Sequence, residues 1–308
     1  MSSAPGAWRS AGGRPRATRI LFEKKGEAAW QAGKPDRAVE HLTAALKTDP
    51  KMLEARFLRG CAHCREEDYL AAYQDLAPIV EKLPDGRGAA AMAHVAPHTE
   101  RGLLLAAAYY RRAVDKGYRT ALVYNNLAYC AAQTGSLDEA AKVLKIARAL
   151  DPELRSARLL QVRVAAQITA WRRQITDMST VEEVVEAGPS TAELSMDAAI
   201  YYLFCAKASD DPRLQQDVTD RMYELLAHGL DQGLPKSELK IFLDVDPQLK
   251  ENPRWQAIES RPESNAPFVR LEIMHDFLDE LTRPQTAALS AGAESSSQPR
   301  GPASRAGL

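Results

Sequence analysis

Small residues return every 34 positions in this chain, and a fixed long period means that one supersecondary unit is stacked upon copies of itself. AGKPDRAVEHLTAALKTDP, residues 32–50, aligns with TGSLDEAAKVLKIARALDP, residues 134–152, at a separation of 102, three times 34. Between them, Gly26, Ala38, Leu42 and Pro50 are answered 34 residues on by Gly60, Ala72, Leu76 and Pro84. Continuing the count reaches Ala106, then Ala128, Ala140, Leu144, Ala147 and Pro152. Strong helix formers dominate and strict alternation is absent, so the repeating elements are helices. A generic bundle would repeat small residues without a fixed long period.

These segments resemble tetratricopeptide repeats, in which a helix A, a tight turn and an antiparallel helix B form each unit. The resemblance implies an all-α fold, an alpha-alpha superhelix that winds as a right-handed solenoid of helix hairpins. The small eighth residue (Gly26, Gly60, Ala128) lets helix A approach helix B, and Ala38, Ala45, Ala140 and Ala147 do the same from the other side. Gly33 and Gly135 stand where a helix reverses, and proline at the thirty-second position stops helix B. The frame gives repeats at 19–52, 53–86, 87–120 (degenerate, with Pro97 in its first helix), 121–154, 155–190 and 191–233 (both divergent), and a closing segment at 234–282. The solenoid so drawn covers 19–282. A more distant similarity runs from YNNLAYC to ENPRWQAI, towards the tetratricopeptide extensions of planctomycete-type bacterial serine/threonine kinases. No Gly-rich loop, VAIK, HRD or DFG motif accompanies it, so a kinship of scaffold is implied and not an activity.

Composition narrows the setting. The chain has 40 basic and 41 acidic residues and 45% hydrophobic residues, which names neither nucleic acid nor membrane as a partner. No run of about 18 apolar residues is present, and the first residues lack the apolar core of a secretory signal, so a cytoplasmic location is expected. Residues 1–18 read as a disordered basic tail, and 283–308, poor in large apolar residues, as a second disordered tail. Four cysteines in 308 residues do not make a disulfide scaffold, and free thiols are expected.

The motifs of common chemistries are missing. Gly33-Lys34 is followed by Pro35, which rules out a phosphate loop, and GxSxG, HExxH and EF-hand patterns do not occur. No catalytic residue, cofactor or metal is assigned, and the chain is read as not an enzyme. CAHC places Cys61 and Cys64 three apart on one face of a helix A, with His63 about 100 degrees round from Cys64 and no second cysteine pair in the sequence. Two small thiols in a groove wall is the preferred reading, an opportunistic metal or oxidation-sensitive pair the sharper one. HVAPH, from His94 to His98, reads as a broken helix rather than a metal clip, and the tyrosine pairs 109–110 and 201–202 as core. PFVRLEIMHDFLDEL, residues 267–281, sets Met274, Phe277, Leu278 and Leu281 on one helical stripe. It is expected to be a helix capping the solenoid, with docking onto a partner as the alternative.

If the family geometry applies, each helix A lines a concave channel. The expected partner-binding residues are then Glu23, Glu27 and Trp30 in the first repeat, Phe57, Cys61 and Arg65 in the second, and Asn125, Tyr129 and Gln133 in the fourth. Amides and aromatic rings suit an extended peptide or a helix. Chaperone-binding relatives grip a terminal carboxylate with lysine and asparagine where Glu23 and Glu27 stand, so an acidic C-terminus is disfavoured and a basic or neutral ligand preferred. The reading is a non-catalytic protein-protein interaction scaffold. A docking subunit for a kinase encoded elsewhere is the alternative, and a thiol or metal protein the third choice.

Overall fold

Fifteen α-helices, among the described residues, follow one another without a strand in the computed structural model of the chain, which describes residues 13–98, 102–176, 178–187 and 191–283. They are α1 (Gly13–Gln31), α2 (Pro35–Thr48), α3 (Leu53–Arg65), α4 (Tyr69–Leu76), α5 (Arg87–Val95), α6 (Gly102–Asp115), α7 (Ala121–Gln133) and α8 (Leu137–Leu150). Then come α9 (Arg155–Arg172), α10 (Met178–Glu186), α11 (Ala192–Ala208), α12 (Pro212–Asp231), α13 (Lys240–Val245), α14 (Pro253–Ser260) and α15 (Leu278–Leu281). Consecutive pairs α1–α2, α3–α4, α5–α6, α7–α8 and α11–α12 pack as hairpins; the first four lean each on the next, and α9 bridges α7–α8 to α11. The fold is an all-α superhelix.

The small residues act where the hairpins touch. A Cβ on Gly26 would fall 2.5 Å from Leu42 Cγ, and one on Gly60 would fall 2.7 Å from Leu76 Cγ, so each leucine of a helix B rests on bare backbone of its helix A. Leu42, Leu76 and Leu144 are all completely buried. Helix ends are set by a recurring Asx-Pro step. Asp49, Asp151, Asp211, Asp246 and Asn252 each precede a proline and accept the amide two residues on, as in Lys51 N to Asp49 Oδ1 at 3.0 Å and Glu153 N to Asp151 Oδ1 at 3.0 Å. Proline cannot extend the preceding helix, and the short side chain satisfies the turn that replaces it.

The hairpin turns differ in one residue. Gly33 (φ 66) and Gly135 (φ 84) take the left-handed backbone after α1 and α7, but after α3 the equivalent place is held by Glu67 at φ 58. A Cβ there costs about 1–2 kcal/mol, partly offset in a glycine variant by a more flexible unfolded chain. Glu67→Gly is therefore expected to stabilise the protein by about 0.5–1 kcal/mol in urea unfolding; a variant less stable than the parent contradicts this.

Three expectations change. Helix α1 begins at Gly13, so the boundary drawn at 18 lies inside a helix; residues 1–12 and 284–308 fall outside the described residues. Helix α10 is short, so α9 packs chiefly on α11, and the hairpin spacing is lost there. The third change bears on the channel: residues 267–281 are not a capping helix, since only Leu278–Leu281 is helical and 267–277 carry no regular structure. The four apolar residues of the expected stripe pack against the solenoid all the same, Phe277, Leu278 and Leu281 at 2%, 1% and 0% exposure. Their spacing cannot tell a helix from an irregular segment whose backbone is bonded by other side chains.

A channel held by the chain's own C-terminal segment

Residues 267–283, called here the strap, run back along the first helices of successive hairpins. The path begins at α11, where Leu271 N donates to Glu193 Oε2 at 2.6 Å. At α7, Asn125 Nδ2 donates to the Ile273 carbonyl at 2.6 Å. Asn126 holds both backbone groups of His275, its Nδ2 donating to the carbonyl at 2.8 Å and its Oδ1 accepting the amide at 3.0 Å. The His275 ring meets Ser156 Oγ of α9 at 2.6 Å. Further along, Arg65 of α3 pairs with Asp276 at 3.3 Å and Asp279 at 2.9 Å. Tyr118 OH donates to Glu280 Oε1 at 3.2 Å, and Trp30 Nε1 of α1 donates to Thr282 Oγ1 at 2.7 Å. A segment with no hydrogen-bond ladder of its own is thus supplied with partners by side chains from five helices and one loop.

Burial does the rest. Phe277 packs edge-on to His94 (centroids 6.3 Å apart) and tilted to Tyr110 (5.9 Å), within the cluster that contains Phe57, Cys61, Cys64 and Leu281. Asn125 and Asn126 are fully buried, and each side-chain amide has one partner on the wall, Asn126 Oδ1 for Asn125 and Tyr110 OH for Asn126, so losing the strap's carbonyls would leave one N–H of each unpaired. Burial keeps the His94 imidazole below its usual pKa, against the pull of the Asp276 carboxylate, so the ring under Phe277 is neutral near pH 7.

The expected site residues divide into three groups. Asn125, Arg65 and Trp30 contact the strap through polar atoms, and Phe57 and Cys61 lie buried in the cluster that includes Phe277. Glu27, Trp30 and Phe57 line a cleft of about 420 Å³ beside Thr282 and Arg283, with Glu54 and Arg87 on its wall. Arg87 lies over the Phe57 ring at 5.0 Å and Arg65 over Trp30 at 5.6 Å. Glu23 is held above the usual carboxylate pKa by burial and by the charges of Glu27 and Glu54. Tyr129 and Gln133 line a second cleft of about 370 Å³ together with Leu271 to Met274 of the strap. Sequence reasoning missed Asn126, Ser156, Arg163 and Glu193; the adjacent pair Asn125-Asn126 on an otherwise apolar helix was the available signal.

The strap carries Glu272, Asp276, Asp279 and Glu280 with Arg270 and Arg283; its acidic stretch sits on Arg65, and its Arg283 lies at the cleft that Glu27 lines. Among the described residues no group of three or more His, Cys, Asp or Glu, Cys61 and Cys64 included, is placed to hold a metal ion. Both thiols are buried, and desolvation pushes Cys61 well above its usual pKa and Cys64 up to about 12, which leaves almost no thiolate at neutral pH.

The upper end of the strap rests on a charged cluster with its own pH response. Arg163 of α9 donates to Glu193 at 2.7 Å and to Asp197 at 2.6 Å, so two carboxylates, 3% and 7% exposed, share one guanidinium. Burial, reinforced by Glu193 and opposed by Arg163, pushes Asp197 up to about 7 from an ordinary 3.8. The folded state therefore binds more protons than the unfolded chain between those values. Asp197's contribution is fully present below 3.8 and is lost as pH rises through 7. Relative to wild type, Asp197→Asn is expected to gain about 2 kcal/mol between pH 5 and pH 8 in urea unfolding. A constant difference across that range contradicts the assignment.

A superhelix of helix hairpins, whose first helices here bond an irregular segment of the same chain along one face, defines a class of fold. Within that class, residues 23–86 and 101–154 match the family model described as Tetratricopeptide repeat, stretches that together make up less than half of the chain. Solved structures similar to it include MamA, form MSR-1 C2, at 17% identity over 62% of this chain and 98% of that one, with a TM-score of 0.45. The type IV pilus biogenesis factor PilW is 16% identical over 81% of this chain and 100% of its own, with a TM-score of 0.43. A thermophilic TPR protein of Thermus thermophilus is 18% identical over 68% of this chain and 98% of its own, with a TM-score of 0.41. A search of the curated proteins finds no match. No helix among the described residues is long and apolar enough to cross a membrane.

Proposed function

We propose that this chain is a non-catalytic interaction scaffold whose concave channel binds a polypeptide segment of a partner protein. The observation that carries the reading is the two-point grip of Asn126 on the backbone of His275. A buried side-chain amide that meets both the N–H and the C=O of one residue recognises main chain whatever the side chain, as a peptide receptor must. Aromatic and guanidinium groups at Trp30, Phe57 and Arg65 add buried area and charge selection around it. The alternative partner, a kinase encoded elsewhere, rests on the sequence resemblance of the later repeats, and no contact among the described residues adds to it.

Photo-crosslinking tests the reading by position. A benzophenone amino acid at Gln133, exposed at the rim of the channel, is expected to link to a defined partner peptide on mass spectrometry. The same group at Leu104, 69% exposed on α6, the second helix of its hairpin, is expected not to. Partner links from Leu104 alone would move the binding surface off the channel.

A further inference from the structure

Resting on that reading, we infer that the partner segment is acidic and aromatic, built on the pattern of Ile273, Asp276, Phe277, Leu278, Asp279 and Leu281, and that the strap is its covalently attached competitor. Three observations define the ligand. The buried anchors are Ile273, Phe277, Leu278 and Leu281, which fixes apolar side chains at four positions. Arg65 takes Asp276 and Asp279 together, which fixes negative charge on either side of the Phe-Leu pair. The backbone between Leu271 and His275 is read by Glu193, Asn125 and Asn126, which requires an irregular stretch rather than a helix.

The strap is held incompletely. Asn125 is fully buried, its Nδ2 is used twice, and its Oδ1 has no hydrogen-bond partner. Asn126 shows what a complete grip looks like one residue away. A partner segment with the same anchors that also presents an N–H to Asn125 Oδ1 gains an interaction the strap lacks, about tenfold or more in affinity. The strap is tethered at an effective concentration on the order of millimolar, so a tenfold tighter segment displaces it once that segment reaches about a tenth of that concentration. The loop that tethers it, residues 262–266, is mostly exposed.

The test uses the full chain with a protease site inserted between Glu263 and Ser264, compared before and after cleavage. The probe is a fluorescein-labelled peptide of residues 267–283, set against the same peptide with Asp276 and Asp279 replaced by lysine. Cleavage removes the tether advantage, so the acidic probe is expected to bind the cut chain at least about tenfold more tightly than the uncut chain. The lysine probe is expected to bind about tenfold more weakly than the acidic one, and Arg65→Glu to reverse that order. Equal binding of the two probes overturns the ligand class while leaving the channel as a peptide receptor. Failure of every probe on a cut chain from which mass spectrometry shows the strap has left overturns both readings. A dimer of the uncut chain in sedimentation, built by exchange of straps, overturns the partner assignment and makes a second copy the occupant.

Discussion

Phe277→Ala is expected to lower the unfolding free energy by about 3–5 kcal/mol, the cost of emptying a closed aromatic site in a core. The ring is 2% exposed, sits against His94 and Tyr110, and belongs to the same cluster as Phe57 and Cys61, although it comes from a segment without secondary structure. That combination makes the value diagnostic. Were residues 267–277 simply a surface tail, the same substitution would shift stability by about 0.5 kcal/mol or less. Urea unfolding followed by circular dichroism gives the difference. The slope should be checked as well, because a repeat array can lose cooperativity when one contact is removed.

The second large effect concerns the hairpins. Gly60→Val is expected to cost about 2–3 kcal/mol, since its Cβ would lie 2.7 Å from Leu76 Cγ and 2.8 Å from Leu76 Cδ2 in a fully buried contact. The gain in helix propensity from removing glycine is smaller than that. Leu76→Ala opens the space the valine needs, so the double variant should be less damaged than the sum of the singles by about 1–2 kcal/mol. Additivity would mean that the two helices do not meet at this point.

These two residues mark the limits of what a sequence discloses. Gly60 and Leu76 are legible because both ends of their contact lie within one repeat, 16 residues apart, and the same pair recurs 34 residues earlier as Gly26 and Leu42. Repetition prints a local contact several times. The strap is printed once, and its backbone partners lie far off in the chain: Asn125 is 148 residues from Ile273, Asn126 is 149 from His275, and Glu193 is 78 from Leu271. Its apolar spacing reads as a helix because anchors at 274, 277, 278 and 281 satisfy helical periodicity whether or not the backbone does. The channel residues are approachable from the family geometry, but that geometry describes an open channel and gives no hint of an occupant. Arg65 shows the consequence: it pairs with Asp276 and Asp279 of the same chain, a contact that the family geometry gives no reason to expect.

Occupancy of the channel by residues 267–283 is the claim on which the functional account depends, and hydrogen exchange at the amides of Leu271 and His275 measures it directly. Both amides belong to a segment without a backbone ladder, and both donate to side chains of the channel wall, Glu193 and Asn126. Exchange at least about a hundredfold slower than in the unfolded chain is the result expected of a seated strap. Exchange at the unfolded rate, with the amides of α7 and α11 still protected, would show an open channel and contradict the account.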